Sequence, residues 1–169
     1  MGGGVNFQQF KDFQKKLEKL DEKHLQEFNE ASVKELAARL LAKVIKRTPV
    51  GKYDKDSDKH GGTLRRGWTA KEEGESGESM SVKESESDES MSVKDYVNSI
   101  EVKKVGNSYQ IKITNPVYYA SYVEYGHRAG KTGFVEGRFM LRISEKELQK
   151  AAPKILQRKL EKFLGDAFK

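Results

Sequence analysis

A chain of 169 residues is long enough for one domain with a hydrophobic core. Apolar residues make up 36% and charged residues 34%, so part of the chain builds no core. Cysteine is absent, which excludes disulfide and thiol chemistry, and no run of eighteen apolar residues offers a membrane span.

The start, with Gly2, Gly3 and Gly4 after Met1, lacks the basic and apolar blocks of a secretory signal and reads as a flexible leader. Residues 5–28 read as a helix, with Phe10, Phe13, Leu17, Leu20, Leu25 and Phe28 at three- to five-residue spacing. A restart is expected at Ser32, with Glu35 three residues on as a capping box requires. The second helix then runs from Val33 to Arg47 with a broad stripe that includes Leu36, Leu40, Leu41 and Val44. It ends near Thr48, because Pro49 disfavours helical geometry in the residue before it.

Residues 50–63 are a polar loop. Asp54, Asp56 and Asp58 alternate like the start of a calcium loop, but position six is Lys59 and position twelve is Arg65, where that loop needs Gly and Glu. Residues 64–70 read as a short strand carrying Leu64 and Trp68 inward.

The net charge of +6 is uneven: residues 71–94 hold three lysines and eight acids, a net of −5, which leaves +11 on the rest. This acidic stretch reads as a mobile insertion, with the hexapeptide ESMSVK at 78–83 and again at 89–94. In a second reading, Met80, Val82, Met91 and Val93 alternate with serines as two opposed hairpin strands. Two strands follow: one carries Val97, Ile100, Val102 and Val105, the other Tyr109, Ile111 and Ile113, with Gly106-Asn107 as the turn between them. Asn115, Pro116 and Gly126 frame a short helix, or alternatively a strand, holding Tyr118, Tyr119, Tyr122 and Val123. A last helix starts near Phe139, with Ser144 and Glu147 inside it or as a capping box, and Pro153 kinks or restarts it.

The segment Gly126–Gly133 ends in Gly-Lys-Thr-Gly, which invites comparison with a phosphate-binding loop. That loop needs four residues between its glycines, but Gly126 and Gly130 enclose three. Gly133 and Gly137 follow where a helix should open. The stretch reads instead as a mobile basic loop hinged on its glycines. His24, His60 and His127 show no ligand spacing. Glu124 and His127 are a conceivable base and orienter, yet a Glu ending a short helix more commonly binds loop amides or a neighbouring subunit. No catalytic, cofactor or metal site is expected.

In order, the chain resembles the phage head–tail joining proteins, also called tail-completion or neck proteins. The likeness begins at the helix ending in Thr48-Pro49-Val50, continues in Gly62-Thr63-Leu64-Arg65 followed by Trp68, and is carried by Tyr119, Ala120, Tyr122, Val123, Glu124 and Gly126. It closes at Gly137-Arg138-Phe139-Met140-Leu141-Arg142. The inserted residues 51–60 and the long acidic segment depart from the family pattern. The chain reads as one domain over 1–169, with an N-terminal helical arm at 1–30 and a flexible acidic insertion at 71–94, and the resemblance implies an α+β fold for it. An antiparallel sheet of about four strands would pack against N- and C-terminal helices. It also implies a non-enzymatic virion protein, made in the host cytoplasm, that forms a homo-oligomeric ring, commonly hexameric, between tail tube and neck or connector proteins. Structural or interface roles are expected for Arg65, Trp68, Tyr119, Tyr122, Glu124, Gly126, Arg128, Lys131 and Arg138. A ring needs two different complementary surfaces per copy. In the ring, the loops with Arg65, Arg66, Arg128 and Lys131 are expected to meet the acidic segment of a neighbour or, alternatively, to face DNA in the channel; the other reading is a nucleic-acid-binding module using the basic body, which predicts salt-sensitive binding to phosphates.

Overall fold

The computed structural model describes residues 11, 15, 22–52, 61–70 and 92–167. The expected N-terminal helix up to residue 21, the Asp54–Asp58 alternation, and the acidic repeat up to residue 91 lie outside these. Lys11 and Lys15 are helical and exposed.

Helix α1 spans Glu22–Arg47 without a break. The restart expected at Ser32 does not occur. Ser32 is buried inside the helix and its hydroxyl donates to the Phe28 carbonyl at 2.6 Å. A helical serine can bond backward in this way as readily as it caps forward. Glu35 turns instead to Arg39 and Lys159. The helix stops where Pro49 demands, and Thr48 folds its amide back onto the Val44 and Ile45 carbonyls.

Residues 64–70 are not one strand. Thr63–Arg66 form a helical turn, α2, and only Thr69–Ala70 form a strand, β1. Helix α3 spans Val93–Asn98, where a strand was expected. The Ser92 hydroxyl accepts the Asp95 amide at 3.2 Å and donates to the Asp95 carboxylate at 2.7 Å. This N-cap outweighs the β-preference of the valines. The apolar spacing Val93, Tyr96, Val97, Ile100 fits a helix, and all four join the core.

Strands β2 (Lys103–Val105) and β3 (Ser108–Gln110) make the expected hairpin, with Gly106 at φ 60° in its turn. Strand β4 (Ile113–Thr114) leaves β3 to pair with β1, Thr69 facing Thr114. Helix α4 (Ala120–Tyr125) starts later than Asn115 predicted. Strands β5 (Gly126–Ala129) and β6 (Gly133–Glu136) form an antiparallel hairpin in place of the expected mobile loop. Helix α5 (Met140–Ala167) runs through Pro153.

The class is α+β, as expected, but the four-stranded sheet is instead three separate two-stranded ladders among the described residues. Order comes from the helices. α1 and α5 lie antiparallel, joined by Arg47–Glu147 at 2.6 Å and Lys43–Glu147 at 2.7 Å near one end. Lys159–Glu35 lies further along, and Phe28 stacks on Phe163 with centroids 4.8 Å apart. These contacts hold α5 on both sides of Pro153, offsetting its lost amide bond. The core gathers Leu41, Val44, Leu64, Trp68, Val97 and Met140.

Candidate functional site: a clamped aromatic face

Three interlocking joints fix the region that the sequence singled out. The first is at the end of α1. Thr48 is fully buried, and its hydroxyl donates to the Val44 carbonyl at 2.7 Å while accepting the Trp68 indole N–H at 2.7 Å. Arg65 donates through Nε and Nη2 to the Thr48 carbonyl at 3.2 and 3.0 Å. A guanidinium there also suits the negative end of the helix dipole. Arg65 and Trp68 thus meet at one residue from opposite sides.

The second joint is Asn115. Its amide nitrogen donates to the Leu64 carbonyl at 2.8 Å, and its oxygen accepts the Val117 amide at 3.2 Å. Asn115 therefore does not cap α4; it ties the approach to α4 onto α2. Gly67 permits this, since a Cβ there would lie 2.6 Å from the Asn115 oxygen.

The third joint is Glu124, which is 6% exposed. Its two oxygens accept the amides of Leu141 and Arg142, each at 3.0 Å. These are among the amides a helix leaves unpaired at its N-terminus. A carboxylate from α4 thus caps α5, favoured by the helix dipole as well. The backbone follows suit: Arg138 donates to the Val123 carbonyl at 2.8 Å, and Phe139 to the Glu124 carbonyl at 3.0 Å. Between these bonds the hairpin leaves and returns through Gly126 and Gly137. A Cβ on Gly137 would lie 2.4 Å from the Glu124 carbonyl oxygen, and one on Gly126 would lie 2.5 Å from that of Val135. Side chains are excluded at both positions by backbone.

Above this rigid base stands an exposed surface. Tyr118, Tyr122, Tyr125, Phe134 and Val135 are all solvent-facing, Tyr118 at 86% and Phe134 at 66%. Single exposed apolar residues are ordinary; five within eighteen residues of sequence mark an interaction surface. Tyr122 meets His127 edge-on at 5.9 Å. Arg128 pairs with Phe134 across the hairpin, and Lys131 sits in its turn. Arg128, Lys131 and Arg138 are exposed and form no ion pair among the described residues.

Of the expected residues, Glu124, Gly126 and Arg138 meet at the hairpin base, the last through its backbone. Tyr122 and Arg128 lie on the exposed face, with Lys131 at the tip. Tyr119 is half-buried, packs on the core and meets Tyr118 edge-on at 5.1 Å. Arg65 and Trp68 belong to the separate joint at Thr48. The sequence reading missed Phe134 and Val135, whose signal was a β-branched and aromatic pair between glycines. It also missed Thr48 and Asn115 as joints, which no local pattern announces.

The Gly-Lys-Thr stretch is a hairpin tip, with no helix opening behind it. Among the described residues no three His, Cys, Asp or Glu side chains gather as a metal group, and no helix is long and apolar enough to cross a membrane. The roomiest described cavity, about 870 Å³ between α1 and α3, is lined by Glu35, whose carboxylate is already held by Arg39 and Lys159.

Residues 11–90 and 85–126 match the HK97-gp10-like family, described as "Bacteriophage HK97-gp10, putative tail-component". The matched stretches run over more than half of the chain and end at Gly126, so they take in the first two joints and Glu124, but neither the hairpin nor the α5 amides that Glu124 accepts. The chain belongs to this family of phage tail components and is a structural virion protein. No curated protein and no solved structure matches it.

Proposed function

We propose that this chain acts at the junction of head and tail, where several copies close into a ring that completes the tail and joins it to the head. The observation that supports this reading is the aromatic face on α4 and the β5–β6 hairpin, held rigid by Glu124 yet turned to solvent. A preformed apolar face loses little conformational freedom on docking, so its burial goes largely into binding. The ring reading also rests on the family resemblance, which commonly gives six copies, with tail-tube and neck or connector proteins as neighbours above and below. Arg128 and Lys131 beside the aromatics give the ring a way to touch DNA in its channel, through phosphates and without sequence preference.

Native mass measurement tests the ring, on the isolated protein and on tails assembled with it. A closed multiple of the 19.2 kDa chain supports the proposal. A monomer in both settings contradicts it. A nucleic-acid-binding module would instead show tight DNA binding by the isolated chain that weakens steeply with salt.

A further inference from the structure

A second apolar surface is left open among the described residues. Along the seam of α1 and α5 run two cavities, of about 590 and 460 Å³. They share Val33, Leu36 and Tyr109 and so form one trough. Leu40 and Leu148 line its first part, Leu156 and Leu160 its second. β3 and the chain after it line the first part from Tyr109 to Ile113, Lys112 among them, and β3 pairs with β2 alone among the described residues. On the wall stands Glu145, exposed and without an ion pair among the described residues.

The β5–β6 hairpin offers the counterpart. All its residues but Gly126 and Gly133 are exposed, so both its faces meet solvent. An isolated two-stranded ladder is marginal in water, and this one displays Phe134 and Val135 with cations beside them. Knob and trough are both apolar, and the free cations Arg128 and Lys131 match the free carboxylate Glu145. Because donor and acceptor are different surfaces of one chain, their union links copies head to tail.

We infer that the hairpin of one copy docks edge-on in the α1–α5 trough of a second copy, with Phe134 and Val135, which point to opposite faces of the ladder, against its two walls and Arg128 or Lys131 against Glu145. This rests on the ring reading above and names its contact.

The absence of cysteine allows a direct test. Val135→Cys and Leu148→Cys are placed in the full chain, separately and together, and oxidised at high protein concentration. Mixing the two single variants should give a disulfide-linked dimer and nothing larger. The double variant should give a ladder while each single variant alone gives no dimer, a combination that head-to-tail contact produces and like-to-like contact does not. Glu145→Arg should lower the yield by up to roughly fivefold, as an exposed ion pair would, and Arg128→Glu should restore it. Thermal melts confirm that each variant folds. Dimers of Val135→Cys with itself alone, or capture of Leu148→Cys by a cysteine placed at Leu17 of its own chain, would overturn the inference. So would rings seen by native mass that give no link between 135 and 148, an outcome that leaves the ring reading standing. Loss of rings by mass contradicts the ring reading itself.

Discussion

The carboxylate of Glu124 accepts the amide of Leu141 at 3.0 Å, so a side chain from a six-residue helix closes the first turn of one twenty-eight residues long. This relationship joins the aromatic face to the helical scaffold. Backbone bonds from Arg138 to the Val123 carbonyl and from Phe139 to that of Glu124 reinforce it.

Glu124→Ala therefore leaves the Leu141 and Arg142 amides without their acceptor. The expected loss is about 1–2 kcal/mol, the range for a lost N-cap, or about 2–8 °C in Tm for a chain of this size. Glu124→Gln keeps one acceptor oxygen and should fall between. Thermal unfolding followed by circular dichroism measures both. An unchanged Tm for Glu124→Ala would show that the cap contributes nothing.

Thr48 and Trp68 should behave as a coupled pair. Thr48→Val leaves a buried indole N–H with no acceptor, at a cost of about 1–3 kcal/mol. Trp68→Phe removes the donor and some core volume. Because each single change breaks the same bond, the double variant should cost less than the sum by about 1 kcal/mol or more. Denaturant unfolding of the four proteins measures the coupling.

Two glycines with different surroundings should respond differently to alanine. Gly137→Ala places a Cβ 2.4 Å from one backbone atom and 2.6 Å from another, so the hairpin base must move. The expected cost is about 3 kcal/mol, the upper range for overpacking. Gly106→Ala meets nothing within 4 Å and pays only for its positive φ, about 1–2 kcal/mol. Melting temperatures rank the two.

Acid should loosen the clasp between α1 and α5. The hydrogen bond from Arg39, and then the contacts of Lys159, hold the Glu35 carboxyl below its ordinary value of 4.5. Lys43 first, and then Arg47, do the same for Glu147. A carboxyl with a lowered folded-state pKa binds fewer protons folded than unfolded. Its contribution is complete above the ordinary value and is lost as pH falls through the lowered one. Stability measured from pH 7 downward should hold until the carboxylate range and then fall. In Glu35→Gln/Glu147→Gln that fall should be shallower.

Much of the helical frame was legible. Pro49 ended α1, the Gly106 turn marked the β2–β3 hairpin, and the leucine stripe announced α5. α3 was misread because Val97, Ile100, Val102 and Val105 supply the β-branched residues of a strand, while Val93, Tyr96, Val97 and Ile100 also fit one helical face. The local Ser92–Asp95 cap and contact with α1 decide between them, and the second is tertiary. The β5–β6 hairpin was misread for another reason. With both faces exposed it has no buried alternation to betray it, and four glycines in twelve residues look like a loop. At the site, Glu124 was expected to bind loop amides or a neighbouring subunit; amides at the start of α5 receive it. That Val135 would lie opposite His127, the partner of Tyr122, depends on the hairpin register, which local sequence did not reveal.

The most direct test of the central claim is the composition of finished particles. Tailed particles should be purified from a host carrying this gene intact and from one with it deleted, then analysed by mass spectrometry and electron microscopy. The account predicts several copies of the chain in each intact particle, and heads and tails left unjoined when it is missing. Joined, infectious particles that lack the chain altogether would contradict it.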